Sequence, residues 1–192
     1  MDADARAGLA LETGCFEHVN GSCRWFEGGT YVIATIAGPR HVSEKGYSHN
    51  PERGALQVRC QLSQRGAPDR VVKERRLEEH VNAVLSRVVA LESFARQIVT
   101  VALLVVLDDG SSLRVALNAA VSALRDASVP LLTVPLSVTP CVGTNVQADV
   151  VFDGERRFLA FETRGTISMD DLEACFAAAE HDRANLAQSL DK

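Results

Sequence analysis

The sequence predicts an α+β fold on three observations. Apolar periodicity runs in the order strands, helix, strand, helix, strands, helix, which is the layering of that class. A Val-rich stretch at 98–107, IVTVALLVVL, is apolar on both alternating faces, as expected of a central strand covered on both sides. It continues into LDDGSSLRVALNAAVSAL at 107–124, a strand end, a turn and an alanine-rich helix whose small side chains permit close approach to a sheet.

Residues 1–13 are small and charged, so a loosely held start is expected, with a single folded domain over 14–192. Short β-type runs follow at 15–19, 22–26 and 30–37, punctuated by Asn20-Gly21 and Gly28-Gly29. These pairs reach positive φ readily, which predicts hairpins. The polar segment 38–54, with Gly and Pro near its ends, reads as a long loop. Residues 56–62 alternate apolar and polar as a strand does.

From Asp69 onward, Leu77, Val81, Val84, Leu85, Val88 and Val89 fall at helical spacing on one face. The mixed charges at 73–79 then lie on a solvated face. After the helix at 113–126, which should be almost wholly buried, a strand opens at Pro130 and continues through Val138. A hairpin over 149–152 and 158–161 turns at Asp153-Gly154. Ser168, with Asp171 three residues on, resembles a capping box for a last helix whose inward stripe is Leu172, Phe176, Ala179, Leu186 and Leu190.

Composition sets outer bounds. A chain of 192 residues with 46% apolar content can bury a full domain core. Its net charge of −5 excludes wrapping nucleic acid by bulk electrostatics, because neutralising many phosphates needs a cationic surplus. Any such contact has to be local. The five cysteines, Cys15, Cys23, Cys60, Cys141 and Cys175, show no ligand spacing and read as reduced, buried thiols. The five histidines suggest no triad or metal set. No apolar run reaches the roughly 20 residues of a membrane helix, and a soluble intracellular protein is expected.

Three motifs in order resemble the RNase PH family. VNGSCRWFEGGTYVIATIAGPR (19–40) is similar to its signature of turn, strand, glycine-threonine pair and strand ending in Gly-Pro. LDDGSSLRVALNAAVSALRDASVPL (107–131) is similar to its central strand, phosphate turn and buried helix, with Ser128 in place of a glycine. TRGTIS (163–168) precedes the last helix. The resemblance covers the chain from about Gly14 to that helix. It implies the RNase PH fold, which is ribosomal protein S5 domain 2-like, with mixed sheets packed against buried helices.

Members of that family act in rings of six, and the active ones cleave RNA from its 3′ end with inorganic phosphate. They bind phosphate with a Gly-Gly-Thr-Arg turn, for which this chain has Gly110-Ser111-Ser112-Leu113. Arg114 lies one residue further, about 100° round a helix, and does not simply replace the missing arginine. The matching place for a substrate arginine on the preceding helix falls on Ala83, and the place of the catalytic aspartate falls on Gln147. Asp149 is the remaining candidate carboxylate, being two residues on and so on the same strand face. A strand-end or turn role for it stays open.

The resemblance therefore implies a catalytically silent ring subunit of the eukaryotic RNA exosome. Its partners would be other RNase PH-like subunits, paired as heterodimers within a six-membered ring, and cap proteins. Single-stranded RNA would pass through the channel, guided by Lys73, Arg75, Arg76, Arg40 and Lys45, with His41 beside them. No metal, cofactor or membrane is implied, and nucleus, nucleolus and cytoplasm are the expected compartments. The phosphate-turn remnant is Gly110, Ser111, Ser112 and Arg114. Two other readings are an active phosphate-dependent 3′ exoribonuclease using Asp149, and a free-standing nucleotide-binding domain.

Overall fold

The computed structural model describes residues 8–41, 52–63, 69–142, 146–164 and 168–190. The chain divides into two compact units, Met1–Leu132 and Thr133–Lys192.

The first unit holds a five-stranded sheet in the order β1-β2-β3-β5-β4, formed by β1 (Leu9–Thr13), β2 (Gly21–Glu27), β3 (Thr30–His41), β4 (Ala55–Leu62) and β5 (Gln97–Leu107). Neighbours are antiparallel except β4 and β5, which run parallel. A parallel pair needs a crossover, and α1 (Arg70–Val88) lies in it. A second helix, α2 (Ser112–Asp126), packs on β2 and β3 and touches α1.

The predicted stripe of α1 is buried as read, with Leu77, Val81, Val84, Leu85 and Val88 at 4% exposure or less. Along α2, Ala116, Ala119, Ala120 and Ala123 are fully buried, and the helix comes so close to β2 that a Cβ on Gly21 would lie 2.4 Å from Ala123 O. Absence of a side chain at Gly21 is what permits this approach. At the end of the helix Ser128 has φ +53, in the left-handed region where glycine is favoured, and Asp126 Oδ2 accepts a hydrogen bond from Ser22 N at 2.9 Å.

Several expectations are corrected. Residues 15–19 form no strand, and the first strand is β1 at 9–13, inside the segment expected to be loose. Its hairpin with β2 closes through a longer loop than Asn20-Gly21 alone, since Thr13 faces Cys23. The Gly28-Gly29 turn is a two-residue one, with Glu27 facing Thr30. β3 runs on past Ala37 through a cis Gly38-Pro39 bond and a register shift, and pairing resumes at Arg40 opposite Ile98. Residues 38–41 thus belong to a strand, because Asn20 Oδ1 accepts from Gly38 N and bridges the irregularity.

β5 is not covered on both sides. Val99, Val101, Leu103 and Val105 are at 2% exposure or less, whereas Ala102 and Leu104 between them are exposed. The outer edge of β4 is closed from α1, where Glu78 Oε1 accepts from Cys60 N and Glu74 Oε1 from Leu62 N, both at 2.8 Å. Carboxylates thereby occupy donors that an edge strand would otherwise offer to a foreign strand.

In the second unit β8 (Val146–Phe152) pairs antiparallel with β6 (Leu136–Val138), β7 (Cys141–Val142) and β9 (Phe158–Arg164). The strand expected from Pro130 through Val138 is shorter, because Leu131 makes only an isolated bridge to Val89 and the regular part is β6. Asp153 supplies the β8–β9 turn, accepting from Glu155 N and Arg157 N. The last helix, α3 (Met169–Leu190), is capped by Ser168, whose Oγ accepts from Asp171 N at 3.1 Å. Its Cys175, Ala179 and Leu186 are buried, and Phe176 packs against Phe158 and Phe161. Leu190 has no described side chain.

Candidate functional site

The turn after β5 is arranged by its own carboxylates. Gly110 takes φ +108, which turns the chain from the strand into α2. Gly110 N donates to Asp108 Oδ1 at 2.9 Å and Ser111 N to Asp109 Oδ1 at 3.1 Å, the local two-residue pattern that aspartate makes in turns. Asp109 also reaches across to the β2–β3 hairpin, accepting from Gly29 N at 2.8 Å and from the Thr30 hydroxyl. Burial raises its pKa, but the bonds from Thr30, Gly29 and Ser111 outweigh this and hold the carboxyl below the ordinary aspartate value. The N–H groups of Gly110 and Ser111, which lead into α2, are consequently occupied by negative charge from within the chain.

Arg114 is engaged as well. Its guanidinium pairs with Glu27, both side chains being less than a fifth exposed, and Glu27 accepts from Trp25 Nε1 at 3.0 Å. The rotation by one helical position has aimed Arg114 at β2. Ser112 is buried at 5% exposure, while Ser111 is half-buried at the helix entry.

In the second unit, Asp149 lies on β8 opposite Glu162 of β9 and is 7% exposed. The Thr139 hydroxyl donates to its carboxylate. Gln147 lies on the same strand opposite Arg164 and Cys141. A buried carboxylate with a hydroxyl donor is satisfied as a structural group.

The candidate cations do not form one cluster. Lys73, Arg75 and Arg76 are exposed on the first two turns of α1; Arg75 Nε pairs with Glu79 at 2.9 Å, and Arg76 also has an interaction partner. That end of α1 is fastened to Leu62, at the end of β4 beside Val105. Arg40 instead faces Ile98, as does Ala55 at the start of β4. The length of β4 separates them, roughly 20 Å at about 3.3 Å per residue. Ala83 is exposed on α1. Lys45 lies outside the described residues. Among the described residues no group of three or more His, Cys, Asp or Glu is placed to hold a metal, and no helix is long and apolar enough to cross a membrane.

Residues 8–130 match the 3′ exoribonuclease family, domain 1, known as RNase PH. The chain belongs to that family. It is 29% identical over 137 residues to the exosome complex exonuclease RRP46 homolog of Arabidopsis thaliana, covering 71% of this chain and 55% of that one. Identity to the exosome complex component Rrp41 of Pyrococcus abyssi is 26% over 152 residues, covering 76% and 59%. The chain thus spans a little over half the length of these curated relatives.

Among solved structures, rice (Oryza sativa) Rrp46 superposes with a TM-score of 0.81 at 23% identity, over 99% of this chain and 98% of that one. A chain of the Archaeoglobus fulgidus exosome with RNA bound to the active site gives 0.79 at 18% identity, over 96% and 88%. The fold is the α+β RNase PH fold.

Within this family frame, sequence reading missed Asp108, Asp109, Glu27 and Thr30 as parts of the turn. Asp108 carried a local signal, an aspartate two residues before a glycine N–H. Glu27 carried none, since it is 87 positions from Arg114.

Proposed function

We propose that the chain is a catalytically silent RNase PH-type subunit of the RNA exosome core ring. It contributes to 3′–5′ RNA processing and degradation by building the ring and its channel. The observation that carries this reading is the occupation of the turn: Asp108 and Asp109 hold its N–H groups and Glu27 holds Arg114. A phosphate approaching there would meet like charge and no free guanidinium, whereas catalysis of phosphoryl transfer requires donors and cations aimed at the phosphoryl oxygens. Replacement of the Thr-Arg pair by Ser112-Leu113, and Ala83 at the substrate-arginine position, support the same reading. The exosome names of the relatives support the assembly.

The partners are neighbouring RNase PH-like subunits, paired as heterodimers in a six-membered ring, with cap proteins above it. Single-stranded RNA passes the channel, where Lys73, Arg75 and Arg76 are the wall cations of this chain. Residence in nucleus, nucleolus and cytoplasm goes with this reading and is tested by imaging a tagged chain. The competing reading, an active phosphorolytic exoribonuclease, is favoured by the word exonuclease in the name of the Arabidopsis relative.

One experiment separates them: purified chain, alone and with its co-purifying partners, is incubated with 3′-labelled oligoribonucleotide and phosphate. No nucleoside diphosphate attributable to this chain is expected. Release of diphosphate that disappears on Asp149→Asn overturns the silent reading.

A further inference from the structure

The open face of the five-stranded sheet carries chemistry that neither the turn nor α1 uses. In-register pairing places Arg24, Ile33, Leu104 and Gln61 in one row across β2, β3, β5 and β4, with Thr35, Ala102 and Arg59 in the next. A groove of about 520 Å³ lies over these rows, lined by Phe16, His18, Ile33, Arg59, Gln61 and Leu104 among others. In the other direction, the row of Phe26 and Tyr31 borders a second groove of about 300 Å³ that includes Arg24. Successive rows on one face are two residues, or about 7 Å, apart.

The aromatic groups are placed for stacking. Phe16 is 37% exposed at the first groove, and the Arg24 guanidinium lies 5.1 Å from its ring centre. Phe26 and Tyr31 meet edge to face with centroids 6.4 Å apart. Trp25, the neighbouring aromatic on β2, is fully buried on the other face and takes no part.

Charge selects the occupant. The whole chain carries −5, yet the described residues lining the two grooves include two arginines, Arg24 and Arg59, against a single carboxylate, Glu12, which pairs with Arg24 at 3.2 Å. Arg59 is exposed and has no carboxylate partner within 4 Å among the described residues. An apolar protein surface laid over the first groove would strip water from that guanidinium without supplying a counter-charge, which is costly. A ligand with flat rings for Phe16 and Tyr31 and anions between them satisfies both demands.

We propose that this face binds single-stranded nucleic acid, with bases on Phe16 and on the Phe26–Tyr31 pair and the backbone against Arg59 and Arg24. An open sheet whose aromatic side chains stack successive bases is an established physical solution for single strands. The site is separate from the α1 cations, because α1 and α2 pack on the opposite face. It is also independent of whether the turn binds phosphate.

The test uses the full chain and fluorescence anisotropy with labelled 12-nucleotide oligo-U and oligo-dT at low salt. Saturable binding is expected, weakened at least tenfold by Phe16→Ala and by Arg59→Gln, both exposed positions with little bearing on folding. Arg125→Gln, at an exposed cation in the last turn of α2 and outside both grooves, should leave it within twofold. Preference for oligo-U indicates that the 2′-hydroxyls are read and equal affinity indicates stacking alone; either supports the site. Photo-crosslinking of 4-thiouridine RNA should label peptides containing Phe16 or Tyr31. Absence of binding to both oligonucleotides overturns the proposal, as does binding insensitive to Phe16 and Arg59, or crosslinks confined to other surfaces. A partner protein that buries the face and excludes the oligonucleotide also overturns it.

Discussion

The two faces of the five-stranded sheet arise from one alternating strand and end in different environments. On one, Val99, Val101, Leu103 and Val105 of β5 are sealed under helices; on the other, Ala102 and Leu104 border a groove with Arg59 and Phe16. The segments that follow β4 and β5 carry α1 and α2, which pack on the same side of the sheet. A strand that is apolar at nearly every position is compatible with cover on two sides, but the path of the chain supplied cover on one. What remains is an apolar surface edged with arginine, suited to a ligand that brings both rings and charge.

The largest expected effect tests the close packing of the sealed side. Gly21→Val should abolish soluble folded protein or cost more than about 3 kcal/mol in urea unfolding, because the new Cβ would lie 2.4 Å from the backbone of Ala123 and Ala127. Next, Leu117→Ala, at a fully buried position of α2, should cost about 2–5 kcal/mol through the cavity it leaves. The matched change on the open face, Leu104→Ala at a side chain 38% exposed, should cost less than about 1 kcal/mol. Equal losses for the two would remove the distinction between the faces.

A smaller effect concerns the turn at the end of β5. Asp109→Asn should lower stability at neutral pH by about 1 kcal/mol, since asparagine keeps one acceptor oxygen and cannot serve both Gly29 N, held by Oδ2, and Thr30 and Ser111, held by Oδ1. The folded pKa of Asp109 is depressed, so its contribution is present above the unfolded value near 4 and is lost as pH falls through the folded value. The gap between native chain and variant should therefore narrow in acid, as read by urea unfolding at neutral pH and near pH 3.

The smallest effect is kinetic. On the sealed side, burial pushes the Cys23 and Cys60 thiols up to about 12, which keeps them neutral and unreactive. Half-buried Cys15 should be alkylated at pH 8 before the buried Cys23, Cys60 and Cys175, as followed by mass spectrometry of the native protein.

Legibility in the sequence followed the range of the forces involved. The stripe Leu77, Val81, Val84, Leu85 and Val88 was readable because a helix buries one face at a fixed local period, and the Asp153-Gly154 turn because its bonds close within four residues. β1 escaped notice because its residues are mostly exposed and its regularity comes from pairing with β2. The Gly38-Pro39 step read as a break, yet a contact with Asn20, 18 residues away, carries the strand through it.

At the candidate site, loss of the Thr-Arg pair could be read directly, whereas the engagement of Arg114 by Glu27 could not. By itself, the sequence determined the order of elements, the apolar faces of α1 and α2, and which side chains are available near the phosphate turn. Those follow from local periodicity and residue chemistry. Only the tertiary structure decided which sheet face is sealed, which carboxylates occupy the turn, and how far Arg40 lies from the α1 cations. Each of these depends on strands and helices distant along the chain being brought within a few ångströms, and no local pattern encodes that distance.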